Sequence, residues 1–210
     1  MSLKKTKKSV LLWIMPLCLV SLLSIPAWAQ FPSSATHCFA NCALPGTGQH
    51  KCYDGTVESA CPVSGFSGQD GDYSVNASSL SYTIYNLVGT SSVTVDNRTG
   101  LMWESTGSCN GVAQTWANAL TCCENLTFAG QSDWRLPNVR ELGSIVDYGS
   151  SAAPYINKTA FPNAQSSNYW SSTIYVPITG SAWVVTFSNG MVSYSTRTNA
   201  RYVRCVRAGP

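Results

Sequence analysis

Charge is what this chain of 210 residues has least of: Asp, Glu, Lys and Arg together make up only 11% of it. Histidine is scarcer still. His37 and His50 are the only two, so nothing after residue 50 supplies an imidazole base for a Ser or Cys nucleophile. Asp70 and Asp72 are the only close pair of carboxylates, there is no internal repeat, and the one long apolar run lies at the N-terminus. No enzyme chemistry is expected from this inventory.

That N-terminal run reads as an export signal. Lys4, Lys5, Lys7 and Lys8 precede the apolar stretch from Val10 to Ile25, and Ala27-Trp28-Ala29 is a small-x-small cleavage site. Residues 1–29 are therefore expected to leave, with Gln30 opening the mature chain. The run is about sixteen residues long and holds Pro16, which is short for a membrane span of roughly 20. No span is expected in the mature chain, an uncleaved anchor being the alternative. The expected location is secreted or cell-surface, with the periplasm also open. The formal net charge of +3 changes with cleavage: without those four lysines the 13 basic residues fall to 9 against 10 acidic ones, a net charge of −1. Overall basicity then gives no reason to expect nucleic acid as a partner.

Cysteine is plentiful by contrast. Beyond Cys18 in the signal, eight remain: Cys38, Cys42, Cys52, Cys61, Cys109, Cys122, Cys123 and Cys205. An even number in an exported chain reads as disulfides, whose pairing sequence alone does not fix. Cys122 and Cys123 are adjacent, so on a helix their side chains diverge by about 100° and take different partners. Cys123 shares a helical face with Trp116 and Leu120, which favours a buried bond to Cys205. Cys109 with Cys122 would tie the preceding loop to the helix, Cys52 with Cys61 would close a short Gly-containing loop, and Cys38 would be left with Cys42. The Cys38-x3-Cys42 spacing, with His37 and His50 nearby, also suits zinc. An oxidising compartment captures those thiols as disulfides first.

Residues 30–79 are loop-like, rich in Gly and Pro, and read as a stapled lead-in to a domain over 80–210. Tyr82, Ile84 and Leu87 suggest a strand. Val93 and Val95 alternate with Thr94 and Asp96 as in a half-buried strand. Asn97-Arg98-Thr99-Gly100 is a turn into Leu101–Glu104. Helices are expected at Gln114–Asn125 and from Asn138, whose amide with Glu141 three residues on makes a capping box, with Gly149 as the stop. Later strands are Ala182–Phe187 and Met191–Thr196, joined at Ser188-Asn189-Gly190, and then Arg201–Arg207. The order predicts an α+β fold, two helices on a twisted antiparallel sheet, loop-rich and disulfide-stapled.

Four segments stand out together: TGLMWE (Thr99–Glu104), DWRLPNVRE (Asp133–Glu141), NYWSST (Asn168–Thr173) and YVRCVR (Tyr202–Arg207). In this order they resemble the Lcl C-terminal domain family, formerly a domain of unknown function, named for the end domain of a bacterial collagen-like surface adhesin. The resemblance covers roughly 46–207, although no Gly-x-y collagen run is present. It implies a C-type-lectin-like fold, akin also to formylglycine-generating enzymes, in which the first helix is commonly disulfide-linked to the last strand. The copper-binding cysteine pair of those enzymes is missing, since Cys205 is the only cysteine after Cys123. Their oxidase activity is therefore not implied.

The motifs admit two kinds of role. Arg135, Asn138 and Glu141 fit a structural one, pinning a helix start to the sheet. Tyr169, Trp170 and Ser172 have the composition of a sugar site, an aromatic face with short hydroxyls beside it, yet strand alternation turns Trp170 toward the core. Trp103, Trp116 and Trp183 fit the core as well. Arg197, Arg201, Arg204 and Arg207 crowd into eleven residues, either as an ion-paired strand face or as a patch for sulfated or carboxylated glycans, with Arg197 and Arg201 as the binding candidates. Asp70 and Asp72 are the sole candidates for a structural calcium ion, which needs about six to eight oxygen ligands. The sugar-binding motifs of calcium lectins are absent. The expectation is a non-catalytic exported domain contributing to adhesion, its partner a glycan, possibly sulfated, or a surface protein. A structural subunit of a pilus or envelope complex is the alternative, and a formylglycine-type oxidase the remote one.

Overall fold

The computed structural model describes residues 46–55, 57–73, 80–87 and 92–209. The signal segment, Cys38 and Cys42 lie outside the described residues. Among the described residues no helix is long and apolar enough to cross a membrane. The architecture is α+β, with disulfides between Cys52 and Cys61, Cys109 and Cys122, and Cys123 and Cys205.

Among the described residues three antiparallel sheets replace the single one expected. A ribbon of β1 (Cys52–Tyr53) and β2 (Glu58–Ser59) sits in the lead-in, where no regular structure was foreseen. A four-stranded sheet runs β3-β4-β5-β9, with β3 at Tyr82–Asn86, β4 at Ser92–Asp96, β5 at Leu101–Glu104 and β9 at Val206–Ala208. A three-stranded sheet runs β6-β7-β8, with β6 at Asn168–Ile174, β7 at Ser181–Thr186 and β8 at Met191–Thr196.

Helix α1 (Trp116–Glu124) and helix α2 (Val139–Ser144) lie on opposite faces of the three-stranded sheet. The register explains this. Trp170 opposes Val184, and both join Ala182, Ala119 and Cys123 of α1 in one core. The next residues along, Tyr169 and Val185, point the other way and join Leu142, Ile145 and Val146 around α2 in a second core. The four-stranded sheet is shared likewise, Val93, Val95 and Met102 facing the first core and Trp103 and Val206 the second. Strand β4 is thus buried on both faces rather than half-buried. Its polar members are satisfied internally: the Thr94 hydroxyl donates to the Ala160 carbonyl at 2.7 Å, and Asp96 accepts from the Arg98 and Thr99 side chains.

The expected terminal strand is mostly a brace. From Arg201 to Cys205 the chain makes single bridges instead of a ladder, Gln114 to Arg201 and Tyr169 to Tyr202, and Val206 then bridges Arg135 as β9 begins. It stitches the start of α1, strand β6 and the DWRLP loop to β5. Cys205, fully buried, adds the covalent link to α1. Helix α2 also stops earlier than the Gly149 signal suggests, at Ser144, because Ile145 leaves helical geometry at the cap. The β7–β8 turn is as expected. Gly190 has φ of 76°, and a Cβ there would meet the Tyr148 ring at 2.4 Å, so the turn and the packing both require glycine.

Candidate functional site

The DWRLPNVRE segment forms an internal clamp. Asn138 accepts from the backbone N–H groups of Arg140 and Glu141 at 2.9 Å each, while the Glu141 carboxylate accepts from the Asn138 N–H at 2.8 Å. Arg135 donates both terminal nitrogens to that carboxylate at 2.8 and 2.7 Å, a bidentate pair. Burial pushes the Glu141 carboxyl upward, but the Arg135 and Asn138 hydrogen bonds and the Arg135 charge outweigh it and hold it below the ordinary carboxylate range. The Arg135 backbone exchanges two hydrogen bonds with Val206, at 2.8 and 2.9 Å, which fixes the clamp to β9. These three residues have structural partners throughout.

NYWSST proves to be interior as well. Trp170 has no exposed surface, and its indole N–H donates to the Gln114 carbonyl at 2.9 Å. Tyr169 is 3% exposed and sits edge-on to Phe187 at 5.1 Å. The Ser172 N–H donates to the Pro137 carbonyl at 2.7 Å, and its hydroxyl reaches the same oxygen at 3.2 Å. Trp170 therefore offers no ring face to a sugar, and Ser172 serves the α2 approach. Of the other tryptophans, Trp103 is core, whereas Trp116 and Trp183 are only half-buried.

The arginine run divides in two. Arg204 is fully buried; one terminal nitrogen donates to the carbonyls of Glu104 and Ser105 at 2.7 and 3.0 Å, and its guanidinium lies 4.8 Å from the Phe161 ring centre. Its Nε and other terminal nitrogen find no acceptor among the described residues. Arg207 pairs with Asp133 at 2.6 Å, and that hydrogen bond lowers the Asp133 carboxyl from its ordinary value. Arg197 and Arg201 are different. Among the described residues neither has a carboxylate partner. Arg197 stacks over the Trp116 ring at 5.2 Å, and its backbone carbonyl accepts the first N–H of α1 at 3.0 Å. Arg201 donates to the Ser195 hydroxyl at 3.2 Å and bridges Gln114 through its backbone. Both thus anchor around the start of α1 and the end of β8, half-buried, with guanidinium donors to spare.

An aromatic group that the sequence reading missed occupies the outward end of the same sheet. Tyr175 stacks on Tyr194 at 4.1 Å and meets Trp183 edge-on at 4.9 Å. Trp183 opposes Tyr194 across the β7–β8 ladder, so strand pairing alone puts them on one face. Val176, Ile178, Met191 and Val192 are exposed nearby in sequence.

The calcium candidates do not converge. Asp70 accepts from the Thr47 hydroxyl, whereas Asp72 accepts from the Gly68 N–H at 2.6 Å and lies against the Cys52 sulfur. The cysteine–carboxylate groups that come together among the described residues, Cys52, Cys61 and Asp72, and the all-cysteine group Cys109, Cys123 and Cys205, are built on disulfide sulfurs.

These features define a disulfide-stapled α+β domain whose sequence motifs hold the fold, with Arg197 and Arg201 left at one sheet edge without a carboxylate partner among the described residues. Residues 92–207, more than half of the chain, match the Lcl C-terminal domain, and the chain belongs to that family. Strand β3 precedes the matched segment yet pairs along its length with β4, so the folded unit starts earlier. No curated protein matches the chain.

Proposed function

We propose that this is an exported, non-catalytic recognition domain of the cell surface or the medium, contributing to adhesion by binding polyanionic glycans through Arg197 and Arg201. The observation that carries this reading is the division of the arginine run. If the run were an ion-paired strand face, these two would have carboxylates beside them, as Arg207 and Arg135 do. Instead they keep donors available at the mouth of α1, and Trp116 holds one of them in place. Guanidinium groups present fork-like donors that suit sulfate and carboxylate oxygens. The link from α1 to the end of the chain through Cys123 and Cys205 supports a C-type-lectin-like reading of the fold. With Cys205 engaged in that bond, the oxidase reading lacks its free thiol.

The test is retention on immobilised heparin at graded salt. The wild-type chain is expected to elute at moderate salt, and the Arg197→Ala/Arg201→Ala pair to elute earlier, each lost phosphate-like contact reducing the salt slope. Equal elution of the two proteins sinks the reading. A second reading, protein recognition within a surface assembly, is favoured by the exposed Val176, Ile178, Met191, Val192 and Tyr194 on and beside β8. Strand β8 is an edge of its sheet. A monodisperse monomer in light scattering, unchanged by Tyr194→Ser, counts against it.

A further inference from the structure

A cleft of about 280 Å³ lies beside the terminal brace, between the 106–111 loop, the 163–169 segment and residues 202–203. That is near the small end of ligand pockets, about 300–1,000 Å³. No charged side chain lines it. Its polar groups are amides and hydroxyls, and several remain uncommitted. Asn163 donates its amide N–H to the Thr106 carbonyl at 3.0 Å, and Gln165 donates its own to the Asn163 backbone carbonyl at 3.1 Å, which leaves both side-chain oxygens free as acceptors. The Asn110 carboxamide and the Tyr202 hydroxyl engage no described residue.

The walls are also pre-set. Cys109, Asn110 and Gly111 stand consecutively in the left-handed region, with φ of 57°, 62° and 68°. Such a run costs conformational energy and persists only where its surroundings impose it. The Cys109–Cys122 disulfide and the Gly111 N–H to Ser108 carbonyl bond, 3.0 Å, impose it here. On the other side the Gln165 N–H donates to the Tyr169 hydroxyl at 2.7 Å, and the Tyr169 and Tyr202 rings lie 5.5 Å apart, tilted by 31°. Tyr202, only half-buried, presents aromatic surface to the cleft.

We propose that this cleft takes one pyranose ring of a neutral saccharide. Sugar hydroxyls both donate and accept, which matches a lining of carboxamides and a phenol, and the ring's C–H groups suit the Tyr202 face. An anion finds no cationic side chain in the lining, and a cation no carboxylate. The cleft shares no lining residue with Arg197 and Arg201, so this site stands independently of the arginine surface.

The test is a titration of the oxidised chain with methyl glycosides of glucose, galactose, mannose and N-acetylglucosamine, followed by backbone amide NMR at low and high salt. One or more of the four is expected to shift residues 106–111, 163–169 and 202–203 equally at both salts. Asn110→Gly keeps the left-handed backbone while removing the carboxamide, and Tyr202→Phe removes the hydroxyl alone. Each is expected to weaken binding about two- to tenfold, the worth of one hydrogen bond. Arg197→Ala/Arg201→Ala is expected to leave these shifts in place. No shift from any of the four glycosides, shifts confined to other residues, or binding unaffected by both cleft variants overturns the proposal.

Discussion

The four arginines of the terminal run share a chemistry and a stretch of eleven residues, yet two are held by partners, Arg204 by buried carbonyls and Arg207 by Asp133, and two have no carboxylate partner among the described residues. The chain course explains the difference. Between Val203 and Val206 the backbone passes between the two cores, so Arg204 has only protein around it and takes backbone carbonyls and the Phe161 ring as its surroundings. At Arg197 and Arg201 the chain turns around the end of β8, where one side of each residue meets α1 and the other meets solvent. Charge clustering in sequence is therefore a poor guide to a charged surface when the cluster straddles a brace.

The way to disturb this division most strongly is to release the brace. Replacing Cys123 and Cys205 together with Ala removes a crosslink between residues 82 apart and is expected to cost about 4 kcal/mol, read from chemical denaturation without reductant. A loss below about 1 kcal/mol would mean that the backbone bridges at Arg201, Tyr202 and Val206 hold the segment unaided. Next in size is Arg204→Ala, expected to cost about 3 kcal/mol by leaving a cavity and two unpaired carbonyls. Arg204→Met should recover the cavity part of that loss, because a similar-volume apolar side chain fills the space and avoids desolvating two guanidinium nitrogens that have no acceptor, while the two carbonyls stay unpaired. If Arg204→Ala were as mild as Arg197→Ala, the proposed division of the run would collapse.

Local signals in the sequence carried much of the fold. The Asn138–Glu141 capping box, the Asn189-Gly190 turn and the divergence of Cys122 and Cys123 each depend on a few neighbouring residues, and each has its counterpart in the structure. What could not be read is of two kinds, turns that fold back on their own carboxylates and cover supplied from far along the chain. Glu104 looks like a solvated strand end, but it is 2% exposed because the N–H groups of Thr106 and Gly107 and the Ser108 hydroxyl converge on its carboxylate. Asp96 is enclosed for the same reason. Alternation identified Trp170 as core but had no means of showing that β4 is covered twice, since the second cover comes from Ala160, 66 residues away. The cleft was missed because Asn110, Asn163, Gln165 and Tyr202 belong to three separate segments. The one available cue was Ser108-Cys109-Asn110-Gly111, a turn-prone tetrapeptide holding a cysteine.

A smaller effect separates the clamp from the surface. The Glu141 and Asp133 carboxyls are both held below their ordinary values in the folded chain. Their contribution to stability is therefore complete above the unfolded carboxylate pKa, about 4, and is lost as pH falls through the depressed folded values. Glu141→Gln is expected to flatten part of the acid limb of a denaturation-midpoint curve while changing little else in the pH profile; an unchanged acid limb would mean that the Arg135 pair does not favour the charged form.

The smallest expected effects compare the two ends of the run directly. Arg207→Ala breaks a pair whose Asp133 side is 58% exposed, so solvent screening keeps the cost at or below about 1 kcal/mol near neutral pH. The cost is complete above the unfolded carboxylate pKa, about 4, and should fade as pH falls further through the depressed folded value of Asp133, so that the mutant and wild-type midpoints draw together. Arg197→Ala and Arg201→Ala have no carboxylate to release, so their cost should not vary with pH across the same range, and at Arg201 it should stay within about 0.5 kcal/mol of wild type. Stacking on Trp116 gives Arg197 slightly more to lose, up to about 1 kcal/mol. A pH-dependent cost at Arg201 would show that an acidic partner faces it in solution, and would turn the free half of the run into the same kind of structure as the other.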